Sequence, residues 1–103
     1  MLVIVHIVFW RLLDQAPNGR SKQENALEMK RRFEALNGGI PGLLRCEIGI
    51  DVSRTAESSD VALYTEFESA AALDAYATHP LHKAIVSFLK DIRSERRVVD
   101  YER

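Results

Sequence analysis

The apolar segment at residues 2–10 constrains the fold of this chain more than any other feature. It is rich in Val, Ile and aromatic residues, and it is apolar on both of the faces that alternate along a β-strand. A strand of this kind must be covered on both sides. It is far shorter than the roughly 20 residues of a membrane-spanning helix, and it lacks the basic start and small-residue cleavage site of a signal peptide. We therefore predict a buried strand, with His6 as its one internal polar residue.

Composition predicts one ordinary domain over residues 1–103, since 103 residues at 47% hydrophobic suffice for a single core. The charge is nearly balanced, with 14 basic and 15 acidic side chains, which argues against nucleic acid as a partner. We expect no membrane partner either. The one cysteine excludes an internal disulfide and cannot alone form a zinc site, so we expect a cytoplasmic protein. We assign no metal ligands within the chain, and a metal at the subunit boundary stays an open alternative.

The segment after the first strand has the signals of an amphipathic helix. Ser21 and Glu24 have the spacing of a capping box, and Gly38-Gly39 provides the stop. Apolar residues recur at steps of three and four, which predicts one packed face. They are Ala26, Met29, Phe33 and Leu36. A second strand follows, in which Leu44, Cys46, Ile48 and Ile50 alternate with polar residues and are predicted to face inward.

The second half of the chain repeats this order. A third strand, Val61 to Phe67, leads to Ser69, a suitable N-cap for a short helix. Pro80 cannot continue that helix but suits the first turn of another. We predict that this last helix segment buries the following apolar residues: Leu81, Ile85, Phe88, Leu89 and Ile92. A final strand contains Val98, Val99 and Tyr101.

This order of elements predicts an α+β fold. Two successive strand–helix–strand halves are typical of a ferredoxin-like βαββαβ sandwich, with a four-stranded antiparallel sheet and the helices on one face. The first strand is apolar on its other face as well, and there are too few helices to cover both. We therefore predict a homodimer in which a second copy covers the bare sheet face.

The segment from Tyr76 to His82 is the clearest candidate site. It places a phenol and two imidazoles, those of His79 and His82, around the predicted helix junction at Pro80. These groups suit proton transfer. The alternative is that they close the junction and seal the interior, and for His79 a capping role is the stronger interpretation.

Five segments, in order, resemble the stress-responsive dimeric α/β-barrel (Dabb) domain family over essentially the whole chain. They are Val5-His6-Ile7-Val8, Ile40-Pro41-Gly42-Leu43 leading to Gly49, Phe67-Glu68-Ser69, Tyr76 with His79-Pro80-Leu81-His82, and Val99-Asp100-Tyr101. The resemblance implies a ferredoxin-like protomer whose sheet packs on that of a twofold-related partner to form a dimeric α/β barrel. The family name describes expression under stress, and most members are uncharacterised.

The family includes a plant polyketide cyclase, and this resemblance implies a role for two residues. His82 and Tyr76 match a histidine and a tyrosine that promote aldol cyclisation of a polyketide without any cofactor. An aldol reaction needs a base that removes an acidic proton and a donor that stabilises the enolate. A neutral imidazole suits the first task and a phenol the second. The helix N-terminus would help to keep His82 neutral.

The resemblance also implies a pocket for a small apolar or aromatic carbonyl ligand. Its walls would include Phe33, Cys46, Val61 and Val98. His6 would orient the substrate or hold a water molecule, with a hydrogen-bonded core histidine as the alternative. Val61 stands where the cyclase has a further histidine, so the substrate need not be the same.

Other reactive side chains have simpler interpretations. Cys46 is most simply a small core residue without a nucleophilic role. Asp100 is interpreted as solvated surface, and the cluster of Arg93, Arg96 and Arg97 as surface or inter-subunit ion pairs.

Two functional hypotheses therefore remain. The first is a cofactor-independent enzyme that acts on a small carbonyl compound by aldol, lyase or isomerase chemistry, with cofactor-free oxygenation of phenols as a variant. The second is a binding or stress-protective module that holds an apolar molecule and converts nothing.

Overall fold

The computed structural model describes residues 2–103 and contains four strands and three helices in that range. In chain order they are β1 (Ile4–Leu12), α1 (Lys22–Glu34), β2 (Leu43–Ile50), β3 (Val61–Phe67), α2 (Ala70–Thr78), α3 (Pro80–Lys90) and β4 (Arg93–Glu102). The predicted order of elements is confirmed, with the second helical segment divided in two at Pro80 as expected from its missing N–H.

The strands form one antiparallel sheet in the order β2-β3-β1-β4. The two central strands are thus β3 and β1, and β4 is an edge strand. This is the ferredoxin-like α+β arrangement, so the predicted fold class is confirmed. The register places His6 opposite Thr65 on β3 and opposite Asp100 on β4. Directly opposed residues project from the same sheet face, which decides what meets at the site below.

Helix α1 begins with the predicted capping box. The Glu24 backbone N–H donates to the Ser21 hydroxyl at 3.2 Å, and the Ser21 N–H donates to the Glu24 carboxylate at 3.0 Å. Two of the four donors at the helix start are thereby satisfied. The buried face of α1 includes Ala26, Met29 and Phe33, as its periodicity predicts. This face fixes Phe33 against Trp10 of β1, with the ring centroids 5.6 Å apart.

The helices cover one face of the sheet, and the other face stays partly exposed. On β1, Val8, Trp10 and Leu12 belong to the main core. The alternate residue Phe9 is 39% exposed, and Val99 and Tyr101, which lie on the same face of the sheet on β4, are 53% and 42% exposed. The prediction that β1 is apolar on two faces is confirmed, and the second face is covered incompletely by this chain.

Strand β2 corrects part of the predicted alternation. A register shift between Leu43 and Arg45 places Leu43 in the core, while Leu44 is 50% exposed. The extra residue of a β-bulge reverses the facing of the residues before it. Cys46 and Ile48 are buried as predicted, but Ile50, at the end of the strand, is 37% exposed.

The first turn of α3 also differs from expectation. Ile85, Leu89 and Ile92 are buried, and Phe88 packs on the core, but Leu81 is 48% exposed. The loop residue near the Leu81 side chain is Gly39, which has no side chain to cover it.

No helix within residues 2–103 has the length and apolar character needed to cross a membrane.

Candidate functional site

The site is built around the junction between α2 and α3. His79 ends α2 and begins α3, and its Nδ1 accepts a hydrogen bond from the Leu81 N–H at 3.1 Å. Pro80 occupies the first helical position, where its missing N–H costs nothing. The prediction of a capping role for His79 is confirmed.

This junction brings Tyr76 and His82 together. Tyr76 lies in the last turn of α2 and is 1% exposed, and His82 lies in the first turn of α3. Their ring centroids are 4.2 Å apart, with the planes tilted by 40°. Tyr76 also packs against Phe67 of β3, with centroids 4.9 Å apart, which fixes the phenol against the sheet. A phenol and an imidazole are therefore held in direct contact.

One hydrogen bond defines the tautomer of His82. Its Nδ1 lies 3.3 Å from the carbonyl oxygen of Ala77. Because a carbonyl oxygen can only accept, Nδ1 must carry the proton, and in the neutral ring Nε2 has the free lone pair. Burial lowers the pKa of His82 below its ordinary value of 6.5, an effect that the bond to Ala77 partly opposes. A neutral imidazole with an available Nε2 can act as a general base near neutral pH.

The Tyr76 hydroxyl is a buried donor without a protein partner. Its oxygen is inaccessible to solvent, and no group within the described part of the chain hydrogen-bonds to it. Burial raises the pKa of Tyr76 well above its ordinary value of 10.0, so the phenol keeps its proton. Buried polar groups usually have partners, and an unpartnered hydroxyl beside an imidazole is a candidate donor to a ligand.

His6 lies at the centre of β1 on the same sheet face. Its ring makes an edge contact with Tyr76, with centroids 6.2 Å apart. His6 Nδ1 donates to the carboxylate of Asp100, its direct neighbour on β4. Asp100 is exposed, as its interpretation as solvated surface expects, with 47% of its side chain accessible. The interpretation missed its partner, because the sheet register also pairs it with a buried histidine. In the neutral ring this bond leaves His6 Nε2 as an acceptor.

These side chains line one cavity of about 300 Å³ between the sheet and the helices. This is at the small end of the range for ligand pockets. The lining residues come from six elements of the fold. They are His6, Val8, Trp10, Phe33, Leu63, Tyr76, His82, Val86, Leu89, Arg93 and Arg96. Larger hollows of about 580, 650 and 430 Å³ contain no histidine or tyrosine among the described residues that line them.

Arg96 is a lining residue that the sequence interpretation missed. It was grouped with Arg93 and Arg97 as a surface cluster, but it pairs with Trp10 across the sheet and faces the cavity. Arg97 does form an ion pair, with Glu95 at 3.1 Å. The signal was available, because the alternation that places Val98 on the helix side of β4 also places Arg96 and Asp100 there.

Residues 4–103 match the family model for the stress responsive A/B barrel domain, Dabb. The chain belongs to the Dabb family. No curated protein is significantly similar to it in sequence.

Solved structures related to this Dabb domain agree with the fold. A dimeric protein of unknown function with a ferredoxin-like fold from Bacteroides fragilis is 32% identical, with a TM-score of 0.83 over 98% of this chain and 96% of that one. A dimeric ferredoxin-like protein of unknown function from Thermobifida fusca is 22% identical, with a TM-score of 0.82 over 97% and 90%. A hydroxynitrile lyase from Passiflora edulis is 19% identical, with a TM-score of 0.78 over 98% and 93%. For the Thermobifida fusca and Passiflora edulis proteins, at 22% and 19% identity, the similarity concerns the fold alone.

Of the four wall residues expected from the Dabb resemblance, only one lines the cavity that contains Tyr76 and His82. Phe33 lines the cavity with His6, Tyr76 and His82, whereas three others are absent from its lining within residues 2–103. These three are Cys46, Val61 and Val98. Cys46 on β2 and Val61 on β3 are buried in the core, and Val98 is 45% exposed on the edge strand β4.

Cys46 has the surroundings of a core residue. Its thiol donates to the Phe33 carbonyl oxygen at 3.2 Å, and burial raises its pKa to about 12. A thiol held in this way is a poor nucleophile at neutral pH.

No group of three or more His, Cys, Asp or Glu side chains suited to a metal occurs in the described range 2–103.

Proposed function

We propose that this Dabb domain is a cofactor-independent enzyme that acts on a small carbonyl compound by aldol or lyase chemistry. The observation that carries the proposal is the contact between Tyr76 and His82, whose rings are 4.2 Å apart at a cavity of about 300 Å³. Enolate formation requires a base that removes a proton and a donor that stabilises the enolate oxygen. The neutral His82 imidazole and the protonated Tyr76 phenol are suited to these two tasks.

The residues divide the reaction between them. His82 Nε2 removes a proton from a carbon next to a substrate carbonyl, and the electron pair of that C–H bond forms an enolate. Tyr76 donates a hydrogen bond to the enolate oxygen without losing its proton. In an aldol reaction the enolate carbon then bonds to a second carbonyl carbon, and the protonated His82 returns its proton to the new alkoxide. In a lyase reaction the same groups work in reverse.

His6 and Asp100 position the site in this proposal. The carboxylate of Asp100 fixes the orientation of the His6 ring, and His6 Nε2 is left to accept a hydrogen bond from substrate or water. Such a pair would hold the ligand against Tyr76 without entering the proton transfer.

We also propose that the working form is a homodimer whose sheets pair as an α/β barrel. The related Bacteroides fragilis protein is described as dimeric. The exposed side chains of Phe9, Val99 and Tyr101 form an apolar surface on the sheet face opposite the helices, and this surface is suited to pairing with a second copy. Light scattering should give twice the 11.7 kDa of one chain. The mass of one chain at micromolar concentration would contradict the dimer.

Native mass spectrometry on protein purified from its source, followed by release of any bound compound, tests the function. We expect a carbonyl compound that the wild-type protein converts, and turnover lower by about 10² or more in His82→Gln and in Tyr76→Phe. Equal turnover in the wild type and both variants would remove these residues from the reaction.

A binding module without turnover is the second candidate, and the apolar walls of the cavity favour it. Five of the lining residues are aliphatic or tryptophan: Val8, Trp10, Leu63, Val86 and Leu89. This function predicts that the released compound binds the two variants as tightly as the wild type and is unchanged by all three proteins.

A further inference from the structure

Within residues 2–103, the residues that line the cavity include two arginines and no carboxylate. Arg93 and Arg96 line the cavity on its β4 side. Neither guanidinium has a carboxylate within ion-pair distance in the described chain, although Arg11 and Arg97 on the same sheet both pair with Glu95. The nearby carboxylate of Asp100 is bonded to His6.

Two residues that line the same cavity also carry buried donors without a partner in the described chain. These donors are the Tyr76 hydroxyl and the Trp10 Nε1–H, and their residues are 1% and 2% exposed. A molecule that satisfies these groups must offer several acceptor oxygens. The aliphatic walls require the rest of that molecule to be apolar.

The charge of Arg96 influences the pKa values of both His82 and Tyr76. Burial is the main cause of the lowered pKa of His82, and the positive charge of Arg96 contributes to it. The same charge opposes, to a smaller extent, the rise in the pKa of Tyr76 that burial causes. Arg96 lines the same cavity as the two rings, so one ligand in this cavity can contact both rings and the guanidinium.

We propose that the cavity binds a small carbonyl compound that also carries a carboxylate, with the carboxylate held by Arg96 and Arg93 and the carbonyl oxygen at the Tyr76 hydroxyl. The inference rests on the proposed enzymatic function and narrows its substrate class. Guanidinium groups bind planar carboxylates through paired N–H donors, which fixes the orientation of the ligand as well as its charge. An apolar cavity of about 150 Å³ accommodates benzene, so about 300 Å³ suits a single ring with a carboxylate and a carbonyl.

Binding of benzoate and benzamide tests the proposal without requiring turnover. The two probes have nearly the same shape, and one carries the carboxylate charge. Trp10 is the sole tryptophan of the chain and lines the cavity, so its indole N–H signal in a ¹H–¹⁵N NMR spectrum reports on occupancy. We expect benzoate to shift this signal with an affinity about tenfold or more above that of benzamide.

Arg96→Gln should reduce the preference for benzoate, because Arg93 alone remains to hold the carboxylate, and it should weaken benzoate binding much more than benzamide binding. Arg97→Gln is the matched control, because it removes the same charge from the adjacent residue, which faces the other side of the sheet. It should retain the preference. Light scattering on both variants checks that the assembly state is the same as in the wild type.

Three results would each overturn the proposal: equal binding of the two probes by the wild type, a preference that Arg96→Gln does not reduce, or no shift of the Trp10 signal with either probe. None of these results bears on the turnover test of His82 and Tyr76, so a failure here is distinct from a failure of the proposed function.

Discussion

Tyr76→Phe should make the protein more stable while impairing its function. The hydroxyl of Tyr76 is buried and has no protein partner, so removing it takes away a polar group whose burial is uncompensated. A buried polar group without a partner lowers the free energy of unfolding by about 1–3 kcal/mol. Because this hydroxyl borders a cavity, we expect the low end, a gain of about 1 kcal/mol in the free energy of unfolding. For a domain of this size that corresponds to a rise of about 4–8 °C in Tm.

Urea denaturation at fixed protein concentration measures this effect, since oligomerisation would make stability depend on concentration. Tyr64→Phe is the matched control. The Tyr64 hydroxyl donates to Glu66 at 2.7 Å and accepts from Arg103 at 2.9 Å, so its loss should lower the free energy of unfolding by about 0.5–1.5 kcal/mol.

The opposite result for Tyr76→Phe would refute the reasoning. A loss of about 1 kcal/mol or more would mean that the hydroxyl makes a stabilising bond in the folded protein, and the phenol would then have a structural role. A gain in stability combined with loss of turnover is the signature of a group retained for function at the expense of stability.

Three further predictions concern other parts of the fold. Burial lowers the pKa of His82, so its ring signals in an NMR titration, assigned by their loss in His82→Gln, should have a midpoint below 6.5. The folded state then binds this proton less readily than the unfolded chain, so the free energy of unfolding should decrease as the pH falls below 6.5. The decrease should be smaller in His82→Gln. A midpoint above 6.5 would contradict the buried environment assigned to His82. Cys46, with a pKa raised to about 12, should react with an aromatic disulfide reagent in urea but not in the folded protein, and rapid reaction without urea would show that its burial is wrong. Gly42→Ala should lower the free energy of unfolding by more than about 1 kcal/mol, because φ is +82° and the new Cβ would lie 2.5 Å from the Cβ of Ala72. Gly49→Ala, where a Cβ meets open space, is its control, and equal stability of the two variants would disprove the clash.

The parts of the site that sequence predicts are those formed by local structure. Tyr76 and His82 are six positions apart, and the proline between them forces the helix to end and restart, which brings the rings together. Phe33 follows from the periodicity of α1 in the same way. Local patterns of this kind depend on backbone geometry that a short segment determines by itself.

The parts that were missed depend on contacts between distant strands. His6 and Asp100 are 94 positions apart, and only the register of β1 against β4 shows that they meet. Arg96 was assigned to the surface because arginine is usually solvated there, although its pairing with Trp10 turns it to the cavity. Register also explains the wrong assignment of Leu44, since one extra residue in β2 exchanges the two faces.

Deuterium exchange into simple ketones tests the central claim, that His82 and Tyr76 form a base and a donor for enolate formation, most directly. Acetone, acetophenone and pyruvate would be incubated with the protein in D₂O, and the loss of their α-proton signals followed by ¹H NMR. The account predicts that the wild type accelerates exchange in at least one of the three, by about 10²-fold over His82→Gln and over Tyr76→Phe. Exchange at the same rate in the wild type, both variants and buffer for all three ketones would contradict it.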